Sequence, residues 1–263
     1  MTTSLSNQKS TGTTEVYSRL RDMIVMRVIP SGSKIKQEHI AEMLNTSRTP
    51  VVNALHKLES GGLVDYIPNQ GFYVHKVTVK ELLDLFSFRL ALDAIVIEDL
   101  VHTLTDAQID ELYGLFEPFM HADPIDATAY HLADMRFHSS LIEWCDNELA
   151  RRVNDTFNIL NRSYLAGLIR PPEDTLGEHL AIIDAFRKRD LATAKNAAAY
   201  HVDCTRQMLA ATVSNLRSLG ANPADIHLDD LHVLGKSLNI TQTFNPSLLR
   251  NTQTFMLNDH GDR

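Results

Sequence analysis

Cysteine is nearly absent. Cys145 and Cys204 are the only two in 263 residues, and a pair so far apart, without Cys-x-x-Cys spacing or a nearby Cys/His cluster, excludes both a disulfide framework and a zinc finger. Long apolar runs are also missing. Stretches such as Leu90–Leu92 and Ala94–Ile97 are only a few residues long, and the polar start Met1–Thr14 has no apolar signal core. This excludes a membrane partner and an exported chain, and it points to a soluble, cytoplasmic protein in reducing surroundings. No pattern matches a dinucleotide fold, a phosphate-binding Gly-rich loop, His-Glu-x-x-His or a Ser/Cys nucleophile. What remains is 44% apolar and 22% charged, enough for one large or two ordinary globular domains and too apolar for a disordered chain.

A net charge of −8 opposes general attraction to nucleic acid, but the total conceals an asymmetry. Residues 1–78 carry nine Lys/Arg against six Asp/Glu, a balance of +3; the remaining 16 and 27 give −11 beyond them. The basic end can approach phosphates and the acidic body cannot.

The pattern of elements changes at the same boundary. Residues 1–13 are rich in Ser, Thr, Gln and Asn and read as a flexible arm. Val16, Leu20, Met23 and Ile24 then recur at helical spacing up to Pro30-Ser31-Gly32. Ile40, Ala41 and Leu44 mark a short helix, Asn45-Thr46 a turn, and Ser47 a cap for a helix striped by Val51, Leu55 and Leu58 that ends at Gly61-Gly62. Leu63–Ile67 and Phe72–Val77, joined by Pro68-Asn69-Gln70-Gly71, read as a hairpin. From Thr78 onward six helices are predicted, at about 79–103, 106–121, 127–144, 147–168, 176–188 and 191–214. Thr78-x-x-Glu81, Thr105-x-x-Gln108, Asp126, Asp146, Thr175 and Asp190 mark their starts. The fold class is therefore mainly α: an N-terminal winged helix-turn-helix over 14–77, then an all-α six-helix bundle over 78–214. The tail 215–263, with apolar pieces at Leu228–Leu234 and Leu248–Leu249, reads as partly ordered.

In a winged helix-turn-helix the helix after Ser47 lies in the major groove and Asn69, Gln70 and Gly71 form the wing tip. Residues 32–77, GSKIKQEHIAEMLNTSRTPVVNALHKLESGGLVDYIPNQGFYVHKV, closely resemble the DNA-binding domain of the GntR family of bacterial transcription regulators, with Ser47-Arg48-Thr49-Pro50-Val51 the most diagnostic piece. Arg48 stands where a guanidinium reaches a guanine edge or a phosphate. The Ser47 and Thr49 hydroxyls suit phosphate oxygens. The family usually places a DNA-contacting Arg, then Glu, after Pro-Val; here the pair is Val52-Asn53. Asn53, His56 and Lys57 complete the expected groove-facing set. A single short helix makes few base contacts, so a homodimer on a near-palindromic double-stranded operator is expected.

In the bundle, Asp134 and His138 are four residues apart and share a helix face, while His179 and His201 fall on two later helices. The region 78–213 resembles the FadR-type C-terminal domain, FCD, of GntR regulators. Asp134-x-x-Phe137-His138, Glu178-His179 and Tyr200-His201 match its three metal-ligand motifs in order and spacing. The resemblance implies a divalent metal held by Asp134, His138, His179 and His201; such a set suits Zn²⁺, Ni²⁺ or Mn²⁺ and leaves positions open for a small carboxylate effector. His131, one turn before Asp134, is either a supporting residue or an exposed one. Arg89 interrupts the apolar row Leu82, Leu85, Leu92, Val96 and needs an anionic partner, either the effector or Asp93. FadR-type regulators commonly carry an Arg at this point of the helix that reaches the ligand cavity. The expected function is a ligand-controlled regulator, with repression the family habit; the alternative is a metal-dependent enzyme on a small carboxylic acid with a vestigial DNA domain.

Overall fold

The structure, a computed structural model, describes residues 5–230. The chain forms two compact units. Of the described residues, one gathers those up to Lys76 together with Asp155–Leu165; the other takes Val77–Asn154 and those from Ala166 to Asp230.

In the first unit, α1 (Leu5–Val25) buries Val16, Leu20 and Ile24 at four-residue spacing, the repeat that one helix face requires. This helix extends back to Leu5, so residues 5–13 are helical where the composition suggested a flexible arm. Next come β1 (Lys34–Ile35), α2 (Gln37–Met43) and α3 (Arg48–Ser60), the last burying Val51, Ala54, Leu55 and Leu58. Ser47 holds the N-cap backbone conformation, but its side chain makes no capping bond. β2 (Val64–Ile67) and β3 (Gly71–Val74) form the expected hairpin, with Val64 opposite Val74 and Ile67 opposite Gly71. The two-residue β1 pairs with the other edge of β3, giving the order β1-β3-β2. A strand so short leaves no alternation for a sequence reading to find. Asn69 and Gly71, at φ 63° and 101°, make the wing turn.

In the second unit, α4 (Val79–Leu100) begins at Thr78, whose hydroxyl accepts from the Glu81 N–H. α5 (Asp106–Phe116) begins with a complete Thr105/Gln108 capping box. α5 ends at Phe116 in a 3-10 turn, Glu117–Phe119, where Pro118 cannot continue the α ladder; the expected extent was 121. α6 (Ala127–Trp144) is capped by Asp126, which accepts from the Thr128 and Ala129 N–H groups. The long helix expected over 147–168 is broken: α7 (Glu148–Phe157) and α8 (Ile159–Ser163) are separated by Asn158 in the left-handed region at φ 47°. The capping side chain at the start of α7 is Asn147, which accepts from the Ala150 N–H, rather than Asp146. α9 (Pro172–Arg187) starts ahead of Thr175, with Pro172 at its first position, where no N–H is needed. α10 (Leu191–Ser218) is capped by Asp190. From α4 to α10 the chain has seven described helices, because the break at Asn158 makes two from one; α8 and the last residues of α7 belong with the first unit.

Beyond α10 the chain returns to the start of α4. Ile226 O accepts from Val79 N at 3.0 Å, Leu228 N donates to Val77 O at 3.2 Å, and Leu228 is buried. Part of the expected tail is therefore built into the bundle. Leu248 and Leu249 lie outside the described residues.

Candidate functional site

Asp134, His138, His179 and His201 come from three helices, α6, α9 and α10, and their ligand atoms all lie within 4.8 Å of one another. All four residues are buried. His179 Nε2 stands 3.1 Å from Asp134 Oδ1, and His138 Nε2 stands 3.2 Å from His201 Nε2, so the Nε2 atoms converge. Phe116 stacks flat on the His179 ring at 4.5 Å, and Phe137 meets the His138 and His179 rings edge-on. These two rings lay apolar surface against His138 and His179.

The outer nitrogens have defined partners. His201 Nδ1 is 2.8 Å from Glu178 Oε2, and Arg170 clamps that carboxylate with two bonds of 2.8 and 2.7 Å. His179 Nδ1 is 3.0 Å from the Tyr130 hydroxyl, which is 2.8 Å from Thr175 Oγ1. His138 Nδ1 is 3.2 Å from Arg89 Nη2, and the same nitrogen lies 3.4 Å from Asp93 Oδ2 one turn along α4. Arg89 is itself buried, 3% exposed. Metal-binding histidines characteristically have such outer partners, which fix ring orientation and tautomer. Of these partners, Glu178 belonged to a motif and Arg89, with Asp93, stood out in the row of α4. Tyr130, Thr175 and Arg170 carry no spacing signal, because their link to the histidines is made across helices.

Charge in the cluster follows from these contacts. Burial opposes ionisation of Asp134, but its hydrogen bond to His179 and the neighbouring His138 and His201 outweigh it and hold the carboxyl well below the usual range. Burial likewise opposes ionisation of Glu178, yet His201 and Arg170 bring it down to about 2. Burial, then His179, lowers His201 to about 4, and burial, then the Arg89 charge, lowers His138 well below the ordinary histidine value. At neutral pH the cluster holds two carboxylates and, at His138 and His201, neutral imidazoles. Three imidazole nitrogens and one carboxylate oxygen, converging, are a donor set that fits a borderline divalent cation.

His131 is buried, so the exposed alternative is wrong; it stands outside the four converging ligands. Cys204 is only half-buried, and it too lies outside them.

On the first unit, Ser47, Arg48, Thr49, Asn53, His56 and Lys57 are exposed along α3, as are Asn69 and Gln70 at the wing; Gly71 is half-buried and Val52 half-buried beside Asn53. Arg48 donates to Gln37 Oε1 at 2.9 Å and pairs with Glu38 at 3.1 Å, both on α2. Lys57 lies over the Tyr17 ring of α1 at 4.2 Å, and His56 bonds Glu59 while packing on Phe72. The exposed set thus divides: Arg48 leans to α2 and Lys57 to α1.

Comparison with known proteins agrees with both units. A model described as bacterial regulatory proteins, gntR family, matches residues 13–74, and the FCD domain matches residues 84–203. A probable D-xylose utilization operon transcriptional repressor of Paenarthrobacter nicotinovorans is 29% identical over 196 residues, 72% of this chain and 86% of that protein. The HTH-type transcriptional repressor RspR of Escherichia coli (strain K12) is 28% identical over 199 residues, 72% of this chain and 84% of its own length. Among solved structures, E. coli McbR/YncC superposes with a TM-score of 0.65 at 20% identity, over 76% of this chain and 98% of that one, a likeness of fold.

Proposed function

Because the chain belongs to the GntR family of regulatory proteins, as a DNA-binding transcriptional regulator with an FCD domain, we propose that it is a metal-dependent sensor of a small carboxylate that represses transcription. The metal-dependent enzyme falls away, since the family and its named relatives are transcriptional regulators. The observation that carries the sensor reading is the convergence of Asp134, His138, His179 and His201 within 4.8 Å in a buried cluster. When bound there, a divalent ion such as Zn²⁺, Ni²⁺ or Mn²⁺ would supply a Lewis-acidic seat for a carboxylate oxygen. The chain's own part is to hold His201 and His179 in register through Glu178 and Tyr130, to exclude water with Phe116 and Phe137, and to place the Arg89 cation near an incoming anion.

DNA reading is assigned to Arg48, with Ser47, Thr49, Asn53 and His56 along α3, Asn69, Gln70 and Gly71 at the wing, and Lys57 as a backbone contact made by leaving Tyr17. Two copies would read a near-palindromic operator. An exposed apolar stripe on α4, Phe88, Ala91 and Ile95, is of the kind a second copy covers. Domain limits at 14–77 and 78–214 fit this division of labour. Names of the relatives support repression, and the absence of any membrane-crossing helix among the described residues is compatible with work in the cytoplasm.

The test is elemental analysis of the purified full chain, followed by operator titrations with and without chelator and a panel of mono-, di- and tricarboxylates. Bound metal at one equivalent and a carboxylate that weakens operator binding only in its presence are expected. No metal uptake by the wild type, or a carboxylate response indifferent to chelator, would overturn the reading.

A further inference from the structure

The outer partners of the three histidines differ in a way that decides which ring nitrogen carries the proton. Glu178, held by Arg170, is a carboxylate and can only accept, so His201 donates from Nδ1 and turns an Nε2 lone pair inward. Tyr130 offers His179 a hydroxyl, which donates or accepts, so either tautomer is served. Arg89 has only donors. At 3.2 Å from His138 Nδ1 it requires that nitrogen to accept, which leaves the proton of the neutral ring on Nε2, pointing at His201 Nε2 3.2 Å away. The result is one directed chain: Arg89 donates to His138, His138 to His201, and His201 to Glu178. It is complete without a metal. It also places a proton on the nitrogen of His138 that faces the centre.

We propose that Arg89 is a lock on the metal centre: it holds His138 in the tautomer that cannot ligate, and an anion that draws the guanidinium away frees His138 to bind. For His138 to ligate through Nε2, that proton must leave and Nδ1 must take one up, and the new N–H would then face an Arg89 donor at hydrogen-bond distance. Two buried donors cannot satisfy each other, so the guanidinium turns to Asp93, one helical turn away, or to a carboxylate in the site. Metal and carboxylate are therefore coupled through Arg89 even where they do not touch, and linkage makes the coupling reciprocal. The inference rests on the four residues being a metal site, as proposed above.

The test uses the full chain, chelator-treated, with ¹⁵N-labelled histidine. Long-range ¹H–¹⁵N spectra, assigned with His138→Gln, should show the Nε2–H tautomer at His138 in the metal-free wild type and the Nδ1–H tautomer after Zn²⁺ is added. In Arg89→Leu the metal-free ring should lose its Nε2–H preference. Competition with a chromophoric chelator should show Arg89→Leu binding Zn²⁺ about 10-fold or more tighter than wild type, whereas Glu178→Gln, an ordinary supporting residue, should lose about 10- to 100-fold. Acetate, a weak Zn²⁺ chelator, should tighten Zn²⁺ binding by wild type but not by Arg89→Leu. An Nδ1–H ring in the metal-free wild type, or tighter binding by Arg89→Leu with no change of tautomer, would overturn the lock while leaving the metal site standing. Zn²⁺ uptake by neither protein would overturn the site itself, and the lock with it.

Discussion

Tyr130 is the residue through which the reach of the hydrogen-bond network can be measured. Its hydroxyl joins His179 Nδ1 to Thr175 on α9, and the ring itself is fully buried against Phe116 and Phe119. Tyr130→Phe keeps the ring and removes the hydroxyl, so the fold should lose no more than about 1 kcal/mol. Metal affinity should fall roughly 10-fold as His179 loses its anchor; thermal melts beside a chelator competition separate the two effects. The metal-free histidines give a pH signature. His201 is lowered to about 4 and His138 lies well below its ordinary value. Below pH 6.5 the unfolded chain takes up protons that the folded cluster refuses, so the stability of the metal-free protein should drop as pH falls from about 6.5 toward 4. Urea titrations across that window measure it. A flat profile would mean that the rings are solvated rather than sealed by Phe116 and Phe137.

Among the elements, α3 carries the proposed reading face and depends on its neighbours at both ends. Arg48 is exposed and pairs with Gln37 and Glu38 of α2, so Arg48→Ala should cost less than about 1 kcal/mol in folding. Specific operator affinity at fixed salt should fall about tenfold to more than a hundredfold, the loss of one bidentate base contact. Unchanged affinity would put the recognition surface elsewhere. At the other end of α3 the chain turns through Gly61 and Gly62. Gly62 is at φ +73°, and a Cβ on Gly61 would fall 1.9 Å from Asn158 Nδ2. Asn158 is buried and holds the break between α7 and α8, with Tyr17 and Asn161 on its amide oxygen. Gly61→Ala should therefore destabilise the first unit by about 1–3 kcal/mol, read by urea unfolding. Asn158→Ala in the same chain should recover part of that loss by removing the obstructing amide.

For the whole molecule, the candidate ligands sit on α6, α9 and α10, so a metal bound to them would join elements spread from Ala127 to Ser218. Binding to the folded state alone stabilises by mass action, about 2.7 kcal/mol at one hundred times the dissociation constant. Chelator should lower the melting temperature of the wild type and leave that of His179→Ala unchanged. A wild-type melt indifferent to chelator would speak against ligands on three helices. The chain also divides unevenly: Asp155–Leu165 belongs with the first unit although both flanking stretches belong with the second. The break at Asn158, in the left-handed region, falls inside that segment.

What local sequence could determine is what short-range physics fixes. Capping side chains at Thr78, Thr105, Asp126 and Asp190 act on N–H groups two to three residues away, so their helix starts are legible without a fold. The stripe of α3 and the hairpin are periodic and therefore visible. Helical spacing put Asp134 and His138 on one face, and the resemblance alone marked them, with His179 and His201, as candidate ligands. The two-residue β1 has no period to read. Its pairing with β3 is made only when the tertiary fold brings the edges together. The same holds for the burial of His131, for Tyr130 and Thr175 behind His179, and for the clamp of Arg170 on Glu178. Arg89 was visible as a charge in an apolar row, with Asp93 or an effector as its partner. That it meets His138, 49 residues away, was settled by the packing of α4 against α6, because a donor finds its acceptor across helices by distance in space and not along the chain.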